Sequence, residues 1–130
     1  HASKTPRQPW EEWNDDAAAR LTGRTALVGL TFVKESNSDE VRQYQFYGIV
    51  ESADRNRGIC ILVEAPWNHC RFVMPPAPRT FEKAARGVYR LRASGQQVVD
   101  PDFLSTWTIN LSGEKFDKLG DTPPGLISTS

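Results

Sequence analysis

The amino-acid sequence predicts a mainly-β domain, in which one N-terminal helix precedes a small, strongly bent antiparallel barrel of five or six strands. Three observations indicate this fold class. The spacing of apolar residues changes from a helical period to alternation at Arg24. Gly48 interrupts a long apolar strand, which is typical of a bend that lets one strand serve two sides of a curved sheet. Residues 54–58 carry the Asp, Asn and Gly residues of a tight hairpin turn.

The helix is predicted over residues 10–21, where apolar residues recur at helical spacing. Pro9 is suited to open it, because the first helical position needs no main-chain N–H. Gly23 is suited to end it. Residues 1–8 show no periodicity, so we expect a disordered arm or the remnant of an expression tag.

Strands are predicted where apolar residues alternate with polar ones or form short runs. They comprise residues 26–33, 41–52, 59–64, 70–74, 88–93 and 105–111. The polar segment 34–40 is assigned to a turn, and residues 80–86 to one short helical turn that begins at a Thr cap. One helix-plus-barrel domain therefore spans residues 9–111, and residues 112–130 have the composition of a flexible tail.

This order of elements resembles the small SH3-like and Sm-like barrels in architecture. We expect the helix to cover one opening of a partly closed barrel. The Sm-type nucleotide-binding signature, Asp-x-x-x-Asn followed later by Arg-Gly, has no match in the chain. Arg57-Gly58 and Arg86-Gly87 lie at a hairpin and at a predicted helix end, which account for their glycines. The resemblance therefore carries over no functional residue.

The cysteines and the length of the apolar runs indicate the cellular compartment of the protein. In a hairpin of residues 59–64 and 70–74, Cys60 lies opposite Met74 or nearby rather than opposite Cys70. We therefore expect two reduced thiols and a cytoplasmic protein. The longest apolar run, Ile59–Val63, is far too short to cross a bilayer, so we expect no membrane partner.

Residues suited to catalysis or metal binding are sparse. His69 and Cys70 are neighbours in or beside a strand, so their side chains point to opposite faces and do not chelate one ion. Asp100 and Asp102 flank Pro101 and, with His69, are the residues that a hydrolase or metal enzyme would use. We rank this activity below the two binding functions described next. The prediction is a protein that is not an enzyme and needs no cofactor or metal.

Charge is distributed unevenly along the chain. Sixteen Lys and Arg residues balance sixteen Asp and Glu residues, so the formal net charge is zero. Residues 42–92 nevertheless hold nine basic and four acidic residues, whereas the segments on either side are acidic. Eleven of the basic residues are Arg, which can bind carboxylate or phosphate through two hydrogen bonds. The candidate binding residues of the basic region are Arg42, Tyr44, Arg55, Arg57, Trp67, Arg71, Arg90 and Arg92.

Two binding functions fit this pattern. The first is a small adaptor, regulator or toxin-neutralising inhibitor whose Arg-rich face binds an acidic protein surface. The second is a barrel that binds single-stranded RNA through arginines and stacking rings. Net neutrality favours the protein partner, because sequence-independent affinity for nucleic acid comes mainly from neutralised phosphates.

Two further expectations concern Trp67 and the strand edges. Trp67 either folds over the barrel end or anchors the partner. Unpaired strand edges would allow the chain to form homo-oligomers.

Overall fold

The computed structural model describes residues 13–92 and 94–128. Strands dominate, and a single 3-10 turn and two short helices accompany them in this part of the chain. The elements in chain order are α1 (Asp15–Leu21), β1 (Thr25–Lys34), β2 (Asn37–Asp54), β3 (Gly58–Ala65), β4 (Cys70–Met74), the 3-10 turn (Pro78–Thr80), β5 (Glu82–Lys83), β6 (Val88–Arg90), β7 (Gln97–Val99), β8 (Phe103–Leu111), α2 (Gly113–Asp117) and β9 (Leu126–Ser128). The mainly-β class is therefore confirmed.

Seven strands form one sheet in the order β5-β8-β1-β2-β3-β4-β9, and β6 and β7 form a separate hairpin. Neighbouring strands of the sheet are antiparallel except β1 and β8, which run parallel over their whole paired length. Within the described residues, the two end strands β5 and β9 do not pair with each other, so the sheet is not closed. The predicted barrel and its resemblance to SH3-like and Sm-like barrels are not confirmed.

The expectation of a wholly antiparallel sheet is wrong at β8. Between β1 and β8 the chain forms β2, β3 and β4 and then passes through residues 75–102, which include β5. A connection of that length allows β8 to pair with β1 in the parallel direction. Asp102 holds the start of β8 beside the start of β1. Its Oδ2 accepts hydrogen bonds from the main-chain N of Thr25 at 2.9 Å and from Thr25 Oγ1 at 3.0 Å. The amide hydrogen bond stabilises the carboxylate and lowers the pKa of Asp102.

The sheet buries apolar side chains on both faces. On the face that we call the core face, Tyr44, Phe46 and Val50 of β2 join the larger cluster. On the opposite face, which we call the hairpin face, Leu91 and Val98 from the β6–β7 hairpin pack into a smaller cluster with sheet residues. Alternation along β2 therefore assigns its even-numbered residues from 42 to 50 to the core face and its odd-numbered residues from 43 to 49 to the hairpin face.

The predicted bend at Gly48 is present as an irregularity in the pairing of β2 with β3, where the register shifts between Tyr47 and Gly48. A Cβ atom on Gly48 would lie 2.2 Å from the carbonyl oxygen of Leu62. A side chain at this position would push the two strands apart. Only glycine permits this close approach of β2 and β3.

Most predicted strands are present, with some corrected bounds. The predicted turn over residues 34–40 is too long, because β2 already begins at Asn37. The helical turn predicted over residues 80–86 is wrong. Thr80 ends the 3-10 turn and its Oγ1 donates to the carbonyl of Ala77 at 2.7 Å, and β5 follows. The predicted strand 88–93 is shorter, since β6 ends at Arg90.

The two ends of the chain differ from the prediction in different ways. α1 begins after Asn14, whose side-chain oxygen accepts a hydrogen bond from the main-chain N of Ala17 at 3.0 Å. The earlier start predicted at residues 10–12, and the arm 1–8, lie outside the described residues. The segment assigned to a tail contains α2 and β9, because Phe116 is buried in the core and β9 pairs with β4.

The remaining predictions concern thiols and membranes. Cys60 and Cys70 are free thiols. Cys60 lies opposite Val73, one residue from the predicted Met74, and Cys70 lies opposite Val63. Among the described residues, neither helix has the length or the apolar character that a membrane crossing requires.

Candidate functional site

A groove opens along β2 beyond the end of β3. The pairing of β3 with β2 stops at Ala65 opposite Tyr47, so in the described structure residues 41–45 of β2 pair only with β1. A cavity of about 390 Å³ lies beside this unpaired edge. Its lining residues are Arg42, Gln43, Tyr44, Gln45, Pro66, Trp67, Arg92, Gly120 and Asp121.

The unpaired edge of β2 presents main-chain hydrogen-bonding groups toward the cavity. Val50 donates its N–H to the carbonyl of Arg24 and accepts from the N–H of Gly23, each at 2.8 Å, so its main-chain groups face β1. The register between β1 and β2 is regular from there to residue 41. Because main-chain groups alternate in direction along a strand, those of Gln43 and Gln45 face the unpaired side.

Tyr44 and Arg42 form the core-face wall of the groove. The Tyr44 ring is 6% exposed and packs edge-on against Phe32, with ring centroids 5.7 Å apart. Its hydroxyl donates to the carbonyl of Gly120 at 2.7 Å, and Arg42 Nη1 donates to the carbonyl of Leu119 at 3.2 Å. Burial raises the pKa of Tyr44. These bonds fix the segment after α2 against β2.

Arg92 forms the opposite wall, on the hairpin face. Its main-chain N donates to Gln45 Oε1 at 2.9 Å, and its Nη1 donates to Gln43 Oε1 at 3.1 Å. The two glutamines therefore position Arg92 over the unpaired edge. Arg42 and Arg92 lie on opposite sides of that edge, one on each face of the sheet.

Trp67 closes the end of the groove nearest β3. It follows the cis Ala65–Pro66 peptide bond, and its ring lies 6.4 Å from the ring of Phe46, measured between centroids. Trp67 is half-buried and also lines the cavity. It therefore packs on the core with one part and presents another part to the groove, and its role as an anchor for a partner stays a prediction.

The groove arginines differ from Arg71 in their partners. Arg71 binds both oxygens of Glu51, at 2.8 and 3.0 Å, and this ion pair lowers the pKa of Glu51. Among residues 13–92 and 94–128, the hydrogen bonds of Arg42 and Arg92 go to carbonyl and amide oxygens, and neither forms an ion pair. Asp121 supplies the one carboxylate in the groove lining. The two guanidinium groups therefore give the groove a net positive formal charge.

The structure brings four of the eight candidate residues together and places the other four elsewhere. Arg42, Tyr44, Trp67 and Arg92 line the groove. Arg55 and Arg57 lie in the turn at the other end of β2, where Asp54 Oδ1 accepts from the main-chain N of Arg57 at 2.9 Å. Arg90 belongs to β6, and Arg71 is the ion-paired residue of β4. The binding patch drawn from composition is thus divided among separate regions.

Five of the nine lining residues were missed in the sequence, and one of them, Pro66, directly precedes Trp67. Gln43 and Gln45 carry no charge, and their alternation along β2 was the one available signal. Gly120 and Asp121 lie in the segment assigned to a tail, and nothing local places them against β2.

The residues considered for catalysis or metal binding have structural contacts. Asp100 Oδ1 accepts from the main-chain N of Gly87 at 2.7 Å, and Asp102 binds Thr25. His69 lies in the loop between β3 and β4 with a φ of 61°. No three His, Cys, Asp or Glu side chains converge as a metal site anywhere in the described ranges.

Comparison of the chain with models of protein families, with curated proteins and with solved structures finds no match.

Proposed function

We propose that the protein is a non-catalytic protein-binding module that receives an extended, acidic segment of a partner protein in the groove beside β2. One observation carries this proposal. The unpaired edge of β2 lies between Arg42 and Arg92, and both guanidinium groups lack a carboxylate partner in the described structure. An extended segment that adds to a strand edge gains main-chain hydrogen bonds, and charged side chains beside the edge select its sequence.

The geometry supports a specific pattern of side chains in the bound segment. A strand added beside Gln43 and Gln45 would continue the line of β3, which ends at Ala65. Successive side chains of such a strand point to opposite faces of the sheet. Two adjacent acidic residues would therefore reach Arg42 on the core face and Arg92 on the hairpin face. An apolar side chain further along the core face would contact Trp67.

The same groove favours a peptide over single-stranded nucleic acid, which is the alternative. Nucleic-acid grooves of this kind use several exposed rings for base stacking. The Tyr44 ring is buried and its hydroxyl is bonded to Gly120, so Trp67 is the one lining ring available to a base. A carboxylate-rich peptide can place its charges on the two arginines and leave Asp121 to solvent.

The test measures fluorescence anisotropy with a fluorescein-labelled peptide of sequence Val-Glu-Glu-Phe-Val-Glu-Val, and with the same peptide carrying Gln for Glu. A variant with Arg42→Glu and Arg92→Glu is expected to weaken binding of the acidic peptide by about 100-fold, because both charge contacts become repulsive. The matched control, Arg55→Glu with Arg57→Glu, makes the same change in net charge at the other end of β2. It should change the affinity by less than about 2-fold.

Three outcomes contradict the proposal. The first is no binding of the acidic peptide at any attainable concentration, and the second is an equal loss in the groove variant and in its control. The third is tight binding of a labelled oligothymidine that the groove variant abolishes, which would support the nucleic-acid alternative. Thermal melting of both variants verifies that each is folded.

A further inference from the structure

A second strand edge is open in the sheet, on the outer side of β8. There β5 pairs with β8 only at Phe103 and Leu104. In the described parts of the chain, residues 105–111 have no strand on that side and pair only with β1. This edge is separate from the groove, since β1 and β2 lie between the outer side of β8 and the unpaired side of β2.

The direction of the main-chain groups along this edge follows from two hydrogen bonds at its ends. The carbonyl of Asp102 accepts from the main-chain N of Ala84 at 3.0 Å, so residue 102 faces outward toward the β5 side. The carbonyl of Leu111 accepts from the main-chain N of Glu35 at 2.8 Å, so residue 111 faces β1. Both observations agree with alternation along one regular strand.

The outward-facing residues are therefore the even-numbered ones. Thr106, Thr108 and Asn110 each present an N–H and a carbonyl to the outside. Their side chains are exposed, whereas Trp107 and Ile109 are half-buried against the core cluster at the margin of the sheet.

The sequence of this edge lacks the features that protect strand edges from pairing. No Lys, Arg, Asp, Glu, Pro or Gly occurs from Phe103 to Ser112. Natural edge strands usually carry a charge, a proline or a bulge that prevents association. The register of β8 with β1 is also continuous, without a bulge. A neutral edge meets no charge repulsion from an identical edge.

We infer that β8 pairs antiparallel with β8 of a second copy of this chain, about a two-fold axis at Thr108. The axis follows from the length of the free edge, because β5 blocks residues up to 104 and the strand ends at Leu111. The midpoint is Thr108, whose main-chain groups face outward, so the two copies of Thr108 can exchange two hydrogen bonds.

This register also gives favourable side-chain pairs across the interface. Trp107 of each copy lies opposite Ile109 of the other, and the two Thr108 side chains face each other. Aromatic residues opposite β-branched residues, and Thr opposite Thr, stabilise antiparallel strand pairs. The half-buried margin of the core cluster would be covered in the same step.

The first test is the mass in solution, by size-exclusion chromatography with light scattering at increasing protein concentration. The wild-type chain is expected to reach twice its mass of 14.6 kDa. Thr108→Lys places two like charges on the axis and should weaken the dimer by about 100-fold. The control Gln97→Lys adds the same charge to an exposed position of β7 and should leave the dimer intact.

The second test fixes the register by disulfide formation. Residues that face each other in a hydrogen-bonded antiparallel pair have Cα atoms about 5.5 Å apart, within the range of a disulfide. Thr108→Cys should therefore form a covalent dimer under mild oxidation. Thr106→Cys should not, since it lies opposite Asn110. The wild-type chain is the control for links through its own Cys60 and Cys70.

Either of two results overturns the inference. One is a wild-type mass of a single chain at the highest concentration. The other is a dimer that persists in the folded Thr108→Lys variant while Thr108→Cys gives no more covalent dimer than the wild type. Far-UV circular dichroism of each variant separates a loss of pairing from a loss of fold.

Discussion

Two unpaired edges of one sheet offer the same main-chain groups in different surroundings. The edge of β2 at residues 41–45 is flanked by Arg42, Arg92 and Trp67. The edge of β8 at residues 105–111 has only uncharged neighbours along its strand. Main-chain hydrogen bonds are alike for every sequence, so they cannot select a partner. The flanking side chains must do so, and a positive flank favours an acidic strand whereas a neutral flank accepts its own copy.

The largest expected effect is a loss of stability when the close approach of β2 and β3 at Gly48 is disturbed. The position of the β2 edge depends on this approach. In Gly48→Ala the new Cβ would lie 2.2 Å from the carbonyl oxygen of Leu62. We expect a loss of about 3 kcal/mol or more in the free energy of unfolding, because main-chain atoms of two strands must move. Urea denaturation followed by circular dichroism measures it.

The matched control for this change is Gly29→Ala on β1. Its Cβ would meet Thr106 Cγ2 at 3.6 Å, an ordinary contact. The expected change is less than about 1 kcal/mol, since alanine is well tolerated where the space is open. Equal effects of the two substitutions would show that the approach of β2 and β3 does not require glycine.

A smaller expected effect is the difference in salt dependence between peptide binding at the β2 edge and self-association at the β8 edge. Binding of the acidic peptide at the β2 groove should weaken by about 10-fold when the ionic strength is raised from about 0.05 to 0.5 M, because Arg42 and Arg92 are exposed and screened. Self-association through β8 should change by less than about 2-fold over the same range. Anisotropy titrations and light scattering provide the two values. A dimer as sensitive to salt as the peptide complex would contradict the neutral edge.

The smallest expected effect concerns Asp102, which directly precedes β8. The pKa of Asp102 is lowered in the folded state, so its carboxylate stabilises the fold above its unfolded pKa, and this contribution is lost as the pH falls through the folded value. Asp102→Asn should reduce stability at pH 7 by about 1 kcal/mol, and the difference should disappear by about pH 2. Urea denaturation at a series of pH values measures both chains. A difference that stays constant with pH would assign the effect to packing.

Alternation of apolar residues was sufficient to predict β1, β2, β3, β4 and β8, but it gave no signal for the short strands β5, β7 and β9. The strict pattern around Phe46 predicted β2 and its buried face, and residues 54–58 predicted the turn that follows. The parallel partner of β1 was not predictable in this way, because a strand at residues 103–111 has the same pattern in either direction. The openness of the sheet depends equally on pairing between distant segments.

Local sequence patterns also predicted only part of the candidate site. Arg42 and Tyr44 lie on one face of β2 by simple alternation, and the sequence was enough to group them. Trp67 and Arg92 reach the groove from separate loops, which composition cannot position. The helix α2 had a local signal, since Ser112 caps it by accepting from the main-chain N of Lys115 at 3.3 Å. That signal is short, and the polar composition around it favoured a tail.

The parallel pair of β1 with β8 has a consequence for synthesis of the chain. Hydrogen bonds between the two strands join residues 77 apart, as between Thr25 and Asp102. The β1–β2–β3 meander can form once residue 65 has left the ribosome, yet one side of β1 remains bare until β8 follows. A nascent chain therefore leaves one edge of the apolar strand β1 unpaired while residues 66–111 are synthesised, and that interval is when chaperones would bind it.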